Sequence, residues 1–296
     1  MPVLSFMRWL AGRRRPCRLL ILPVIAVLSA PLRADPAPRI ATLDWTVAET
    51  LIGIDARLVG LAQIDGYDSW VASPAVPADV VDLGLRAQPN LEQVAALAPD
   101  RIALSPMFAN HEGRLSSIAP TTVFELYGDG ADTWPALRRL TRELGEFAER
   151  PDEAEALIAD TETRIAELAE RLPAKPPTVV VVQFMDERHL RVFGENGLYD
   201  AVLERLGIEN GWTGDTNRWG FSLVGLEELV EAEGRIVVVE PYPVGVERAL
   251  SDSALYRRLI ARSGQEPLEL DPVWSFGALP SAERFAERLV EALDAN

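Results

Sequence analysis

The sequence predicts an α/β protein made of two Rossmann-like lobes with central parallel sheets, joined by one long rigid helix, with a ligand cleft between the lobes. Three observations support this fold class. Short apolar segments alternate with helical segments in both halves of the chain. The segments 178–183 (TVVVVQ) and 235–240 (RIVVVE) are apolar runs typical of strands buried on both faces. Between the two series, residues 151–172 have helical periodicity and contain no glycine.

The first lobe is predicted over residues 35–148. Its helices are predicted from apolar spacing and from Asn90, whose side-chain oxygen can cap the helix that follows it. The segment 65–77 is polar, aromatic and rich in turn residues, so we expect a loop there. The predicted strands of this lobe are 39–43, 58–62, 80–83, 101–104 and 122–126, and its predicted helices are 45–54, 90–97 and the first part of 132–172.

A connecting helix is predicted over residues 149–172. Because proline is tolerated in the first turn of a helix, a second helix is expected to start at Pro151, within the helical region that begins at residue 132. This helix stops before Pro173 and would be about 33 Å long. The second lobe is predicted over residues 173–296, with strands 178–183 and 235–240 and helices 197–206, 253–261 and 281–293.

The beginning of the chain differs in charge from the rest. Residues 1–34 contain six arginines and no acidic residue, and an apolar run of 14 residues at 19–32 is followed by the small residue Ala34. This layout is typical of a secretory signal peptide, and the apolar run is shorter than the roughly 20 residues that span a bilayer. We therefore predict a signal peptide over residues 1–34 and export from the cytoplasm, with an uncleaved membrane anchor as the alternative.

Composition argues against several classes of function. The 296 residues include 29 basic and 45 acidic side chains, a formal net charge of -16, which argues against binding of nucleic acid. Two histidines and one cysteine cannot supply a typical His-rich metal site. The chain has no GxSxG, GxxxxGK[ST] or HExxH motif, and no GxGxxG after a strand. We therefore predict that the protein is not an enzyme and holds no metal or cofactor of its own.

A secreted α/β hydrolase or transferase is the alternative from another class of protein. Such an enzyme needs a nucleophile beside a base, and the two histidines, His111 and His189, would have to supply that base. His111 lies in a polar loop and His189 near the end of a strand. We expect a solvated or structural role for His189 and, although His111 could touch a ligand, a plain surface role for His111.

The placement of tryptophan predicts a binding surface. Trp70, Trp219 and Trp274 lie in turn-rich segments that are distributed over both lobes. A core tryptophan is expected in a strand or on the apolar face of a helix, as we predict for Trp45 and Trp134. Three tryptophans in loops of both lobes indicate a shared, aromatic-lined cleft.

The two lobes also contain a short internal similarity. Asn90-Leu91-Glu92 precedes the predicted strand at residue 101, and Gly225-Leu226-Glu227 precedes the predicted strand at residue 235. Each is a short helical segment that leads into an apolar strand, with a glutamate in third place. The sequence therefore indicates equivalent positions in the two lobes for Glu92 and Glu227.

Several segments resemble, in the same order, the periplasmic binding proteins of ferric hydroxamate siderophore importers. These proteins belong to the helical-backbone metal-chelate binding proteins, and the resemblance implies two α/β lobes joined by one long helix. It extends over essentially the whole chain after residue 34. The segments that carry it are SWVASPAVP at 69–77, VDLGLRAQPNLE at 81–92, RHLRVFG at 188–194, GDTNRWG at 214–220 and VWSFGA at 273–278.

The resemblance also implies functional residues. Arg86 would donate hydrogen bonds to hydroxamate oxygens around the iron, and the siderophore itself would supply every iron ligand. Glu92 and Glu227 would dock onto arginines of a membrane permease that works with an ATPase, and the binding protein would be monomeric. The cleft would be lined by Trp70, Trp219 and Trp274, with Phe108 and Phe276 at positions where relatives often have tyrosine.

The same fold could carry a different cargo. Cobalamin, haem, or a catecholate or carboxylate siderophore is the alternative to a ferric hydroxamate. An anionic chelate should require several basic residues around the cleft, and only Arg86 and Arg218 are obvious candidates. The sequence therefore favours a neutral cargo.

Overall fold

The computed structural model describes residues 37–127, 132–230 and 232–295. The predicted signal peptide, residues 1–34, lies outside these described residues. Within them, no helix combines the length and the hydropathy that crossing a membrane requires.

The first lobe contains a five-stranded parallel sheet. Its strands are β1 (Ile40–Thr42), β2 (Leu58–Leu61), β3 (Val81–Asp82), β6 (Arg101–Leu104) and β7 (Thr121–Val123), and a separate hairpin pairs β4 (Gly84–Leu85) with β5 (Gln88–Pro89). The order across the sheet is β3-β2-β1-β6-β7. β1 is the central strand and all three of its residues are buried. The parallel arrangement predicted from alternating strands and helices is confirmed for this lobe.

Three of the helices of the first lobe begin at a side-chain cap, from Asp44, Asn90 or Asp132. The helices of this lobe are α1 (Trp45–Gly53), α2 (Ile64–Trp70), α3 (Leu91–Leu97), α4 (Glu112–Leu115) and α5 (Thr133–Ala148), with a 3-10 helix at Pro106–His111. The Asn90 side chain accepts a hydrogen bond from the backbone N–H of Gln93, which confirms the predicted cap. Asp44 caps α1 in the same way through the N–H groups of Thr46 and Val47.

The loop predicted at 65–77 is wrong over its first residues, because α2 occupies Ile64–Trp70. Local propensity is low there, since the helix has only seven residues and includes Gly66. Packing stabilises this helix instead. Tyr67 is fully buried, and its hydroxyl donates a hydrogen bond to the Pro74 carbonyl at 2.8 Å. The formation of α2 therefore depends on the contacts of Tyr67 and not on local propensity.

One helix, α6 (Pro151–Arg171), follows the first lobe in the chain. It has Pro151 in its first turn, as predicted, and its 21 residues correspond to about 32 Å. The buried residues of α6 recur every three or four positions, at Ala154, Ile158, Thr161, Ile165 and Leu168. This stripe packs the helix against its neighbours in both lobes.

The second lobe contains a five-stranded sheet of mixed direction. Its strands are β8 (Val179–Phe184), β9 (His189–Phe193), β10 (Phe221–Gly225), β11 (Arg235–Val239) and β12 (Leu268–Leu270), in the order β10-β9-β8-β11-β12. The two-lobed α/β class is confirmed, but only β8, β11 and β12 are parallel. β9 runs antiparallel to β8 because a turn as short as residues 185–188 can join only antiparallel neighbours, and β10 in turn pairs antiparallel with β9.

The helices of the second lobe cover this sheet. They are α7 (Leu198–Leu206), α8 (Val246–Asp252), α9 (Ala254–Ser263) and α10 (Leu279–Asp294), with a 3-10 helix at Leu226–Val230. One apolar core runs from β1 and α1 through α5 and α6 to α7 and α10, and includes Ile40, Leu137, Ile165 and Phe285. Because close-packed helices deform little, we expect only modest closure of the lobes on a ligand.

Candidate ligand-binding site

A cavity lies between the two lobes. Its empty volume is about 720 Å³, including space open to solvent. The first lobe lines it with residues that follow strand ends: Asp44 after β1, Arg86 beyond β3, Ser105 after β6 and Phe124 after β7. These positions converge because the carboxyl ends of parallel strands meet at one edge of a sheet. The second lobe contributes Arg218, Trp219, Trp274 and Phe276.

Arg86 is held among aromatic rings. Its guanidinium carbon lies 4.1 Å from the ring centroid of Trp45, 4.9 Å from that of Phe108 and 5.6 Å from that of Trp274. Its Nε donates to the Leu43 carbonyl at 3.2 Å. Burial lowers the pKa of Arg86, and an arginine remains charged at neutral pH even so. The site therefore presents a positioned cation whose neighbours are rings.

Asp44 is the carboxylate beside Arg86. Its Oδ2 accepts a hydrogen bond from the Ser105 hydroxyl at 2.6 Å and lies 3.9 Å from Nη2 of Arg86. Its Oδ1 is occupied by the first turn of α1. In the described part of the chain, the Leu43 carbonyl is the one acceptor within hydrogen-bond distance of Arg86, so its terminal N–H groups remain available to a ligand.

The wall contributed by the second lobe is aromatic. Trp274 is buried, with its ring 5.1 Å from that of Trp45 and 5.2 Å from that of Phe276, both in edge-to-face geometry. Its Nε1 donates to the Thr46 hydroxyl at 3.0 Å, and that hydroxyl donates to the Phe276 carbonyl at 2.7 Å. Thr46 at the start of α1 thus fixes the position of two wall residues from the other lobe.

A second set of hydrogen bonds joins the two lobes behind the aromatic wall. The Glu49 carboxyl accepts a hydrogen bond from the Ala278 N–H and is hydrogen-bonded to the Ser281 hydroxyl at the start of α10. The Tyr127 hydroxyl donates to the Gly277 carbonyl at 2.8 Å. Glu49 is completely buried, and this burial raises its pKa to about 8, with a contribution from the negative charge of Asp44.

The structure brings together most of the predicted site residues. Arg86, Trp219, Trp274 and Phe276 line the cavity. Phe108 is buried beside the Arg86 guanidinium. Trp70, at the end of α2, is half-buried against the apolar core and is not among the residues that line the cavity.

Sequence reasoning missed three residues of the site. Trp45 is buried, as predicted, but it also stacks against Arg86. Its place directly after a strand and a capping aspartate could have indicated this. Tyr127, at the cavity, carried no signal in the sequence, because the loop that contains it is irregular. Arg191 lies behind Phe276, with its guanidinium carbon 5.2 Å from that ring centroid, and only the pairing of distant strands places it there.

Neither histidine lines the cavity. His189 is exposed, as expected, and its Nδ1 lies 2.9 Å from Oδ2 of Asp186. Hydrogen bonds from the backbone N–H of Arg188 and from His189 lower the pKa of Asp186 to about 2. The expected surface role of His111 is wrong, because its side chain is buried within the 3-10 helix that packs on the sheet. The described residues contain no group of three or more His, Cys, Asp or Glu that could hold a metal ion.

Glu92 and Glu227 occupy comparable places in the two lobes. Glu92 is exposed in α3 and Glu227 is exposed in the 3-10 helix Leu226–Val230. The strands that follow them, β6 and β11, each pair in parallel with the first strand of their lobe, β1 and β8. Within the described residues, neither carboxylate takes part in an ion pair or a side-chain hydrogen bond. Both are therefore free to meet a partner.

The two lobes are joined by a helix, and the cavity between them contains an arginine and aromatic rings. This arrangement is typical of a substrate-binding protein. The sequence profile of the family described as periplasmic binding protein matches residues 40–264, and the chain belongs to this family.

Two relatives and one crystal structure show which proteins of this kind the chain is similar to. The iron(3+)-hydroxamate-binding protein FhuD of Escherichia coli (strain K12) is 29% identical over 260 residues, 86% of each chain. The ferric-anguibactin-binding protein FatB of Vibrio anguillarum is 26% identical over 176 residues, 58% of this chain and 53% of FatB. The crystal structure of the siderophore-binding protein FhuD from Vibrio cholerae with Fe3+–Desferal matches with a TM-score of 0.82 at 26% identity, covering 87% of this chain and 98% of that one. The family resemblance inferred from the sequence is confirmed.

Proposed function

We propose that this protein captures ferric hydroxamate siderophores in the periplasm and delivers them to an inner-membrane ABC permease and its ATPase for iron uptake. The observation that carries the proposal is the Arg86 guanidinium, held by rings at an open cavity with its terminal donors unused. The names of two relatives support it, since the Escherichia coli protein is an iron(3+)-hydroxamate-binding protein and the Vibrio cholerae protein was crystallised with Fe3+–Desferal.

The chemistry of the cargo fits these residues. Three hydroxamates fill the octahedral positions of ferric iron with hard oxygen donors, so the protein needs to supply no metal ligand and no cofactor. The iron-bound oxygens carry negative charge and accept hydrogen bonds. The planar guanidinium of Arg86 offers them a fixed fork of donors, and charge-assisted bonds of this kind are the strong ones.

The aromatic residues bind the organic part of the chelate in this proposal. Trp219, Trp274 and Phe276 pack against its hydrocarbon chains, while Phe108 holds the Arg86 side chain in place. Trp70 would join this wall when the ligand is bound. The phenylalanines at 108 and 276 keep the apolar surface but lack a hydroxyl, so hydrogen bonding to the iron-bound oxygens falls mainly to Arg86.

Delivery requires recognition of the permease. Glu92 and Glu227, one exposed carboxylate in each lobe, would pair with arginines of the permease. The binding protein acts as a monomer, and residues 1–34 direct its export and are removed from the mature protein. It carries its cargo without chemical change and is not an enzyme.

Ligand titration tests the proposal. Residues 35–296 are titrated with ferrichrome, with ferrioxamine B and with a ferric catecholate, and quenching of tryptophan fluorescence is followed. We expect saturable quenching by the hydroxamates, and binding at least about tenfold weaker in Arg86→Ala, because hydrogen bonds to charged groups are lost. Arg248→Ala, an exposed arginine outside the cavity, is the matched control and should bind normally. A protein that responds to no ferric hydroxamate would refute the proposal.

A further inference from the structure

The charges around the cavity are unbalanced. Among the residues that line it, Arg86 and Arg218 are cationic and Asp44 is the carboxylate. Asp44 lies 3.9 Å from Arg86 and largely compensates that one charge. Glu125 lies between the lining residues Phe124 and Leu126, but its own side chain is exposed and does not line the cavity. The positive charge of Arg218 is therefore not compensated by a carboxylate of the cavity lining.

Arg218 projects into the site from the second lobe. Its guanidinium carbon lies 4.5 Å from the ring centroid of Trp219, so the cation is stacked on a wall residue. It makes no ion pair within the described residues. A stacked, exposed guanidinium without a carboxylate partner keeps its five N–H donors for a ligand.

Arg191 adds a third positive charge directly behind the wall. Its guanidinium carbon lies 5.0 Å from the ring centroid of Phe221 and 5.2 Å from that of Phe276. Its polar partner is the neutral amide of Gln183, whose Oε1 lies 3.3 Å from Nη1 of Arg191. Across the described ranges, no carboxylate forms an ion pair with Arg191. A charge held behind an aromatic ring in a poorly solvated place acts over a longer range than one in water.

Glu49 does not cancel this excess at neutral pH. It is fully buried, and its pKa is raised to about 8 by burial, so the carboxyl remains protonated and neutral at pH 7. Two arginines of the cavity lining and Arg191 behind it then face one carboxylate of the lining, that of Asp44. The sequence favours a neutral cargo because it shows neither the placement of Arg191 behind Phe276 nor the burial of Glu49.

We propose that the natural cargo is an anionic ferric hydroxamate, a chelate with a peripheral carboxylate or similar group that pairs with Arg218. This inference rests on the proposed function and adds the charge of the chelate to it. The protein as a whole has a formal net charge of -16, which disfavours anions at a distance. Local arginines at the cavity are what would offset this repulsion within a Debye length of about 10 Å.

A single chelator in three charge states tests the inference. Ferric desferrioxamine B has a terminal ammonium and a net charge of about +1, N-acetylation makes it neutral, and N-succinylation makes it about -1, with the same iron centre throughout. Affinities are measured by titration calorimetry at low and high salt. We expect binding about sixfold tighter for each unit of negative charge, for charges roughly 8 Å apart at an effective dielectric constant of about 40. High salt should reduce the difference.

Substitutions test whether Arg218 causes the preference for negatively charged chelates. Arg218→Gln should flatten the affinity ranking of the three chelates, whereas Arg218→Lys should keep the ranking. Arg248→Gln removes the same charge at an exposed position outside the cavity lining and should leave the ranking unchanged. Equal affinities for the three chelates, or tightest binding of the cationic one, would overturn the inference and leave the proposed function intact. Failure of all three to bind would overturn the proposed function itself.

Discussion

Glu49 makes the stability of this protein depend on pH in an unusual direction. Its carboxyl has a pKa of about 8 in the folded protein and near 4.5 when exposed to water. Between these values the folded protein retains a proton that the unfolded chain has lost, so the free energy of unfolding falls as the pH rises. The slope is about 1.4 kcal/mol per pH unit, and the stabilisation, complete below pH 4.5, is lost by about pH 8.

The ionisable groups that face Glu49 are Asp44, Tyr67, Tyr127 and Tyr199. Burial raises the pKa of each of the three tyrosines above its usual value. The tyrosines are therefore neutral throughout the range. Between pH 5 and pH 7 the contribution of Glu49 amounts to about 3 kcal/mol, a large part of the roughly 5–15 kcal/mol that stabilises a typical domain.

Urea unfolding from pH 5 to pH 9 measures the effect. Other carboxyl groups also titrate, so the quantity to follow is the difference between the wild type and Glu49→Gln. Glutamine is neutral and can accept from the Ala278 N–H while donating to the Ser281 hydroxyl, so it reproduces the protonated state at every pH. The wild type should match the variant near pH 5 and become the less stable protein as the pH rises. A difference that stays constant from pH 5 to pH 8 would refute the reasoning.

Two further predictions concern Gly277 and the exposed glutamates. An added Cβ at Gly277 would lie 2.2 Å from the Cβ of Ser281, so Gly277→Ala should destabilise the protein by about 1–3 kcal/mol in urea unfolding and weaken binding of ferric hydroxamates. Glu92→Lys and Glu227→Lys should each reduce iron uptake, and stimulation of ATP hydrolysis by the reconstituted permease, at least about tenfold, because like charges would face each other. Their affinity for the chelate should be unchanged, since neither residue lines the cavity.

Each of these two predictions has a matched control. An added Cβ at Gly113 meets no heavy atom within 4 Å, so Gly113→Ala should be close to neutral. Glu170 is exposed on the connecting helix, and Glu170→Lys makes the same charge reversal away from both proposed docking positions. If Gly277→Ala is as stable as Gly113→Ala, the close packing behind the wall is less rigid than argued. If Glu170→Lys impairs uptake as much as the other reversals, net charge and not docking is responsible.

Much of the architecture follows from local patterns. Asn90 and Pro151 mark helix starts because capping and the missing proline N–H act within one turn. The buried runs at β8 and β11 are strands because their β-branched residues are continuous. The helix that ends at Trp70 was not accessible in this way. It depends on the burial of Tyr67 in the apolar core, which gathers residues from distant parts of the chain.

For the binding site, the sequence by itself determined the kinds of side chain: an arginine, loop tryptophans, two exposed glutamates and a scarcity of metal ligands. Only the tertiary structure decided how these groups act. It stacks Arg86 against Trp45, places Arg191 behind Phe276, and buries Glu49 against the start of α10. The physical reason is that desolvation and charge interaction depend on the atoms within a few ångströms, and folding brings those atoms from distant parts of the chain.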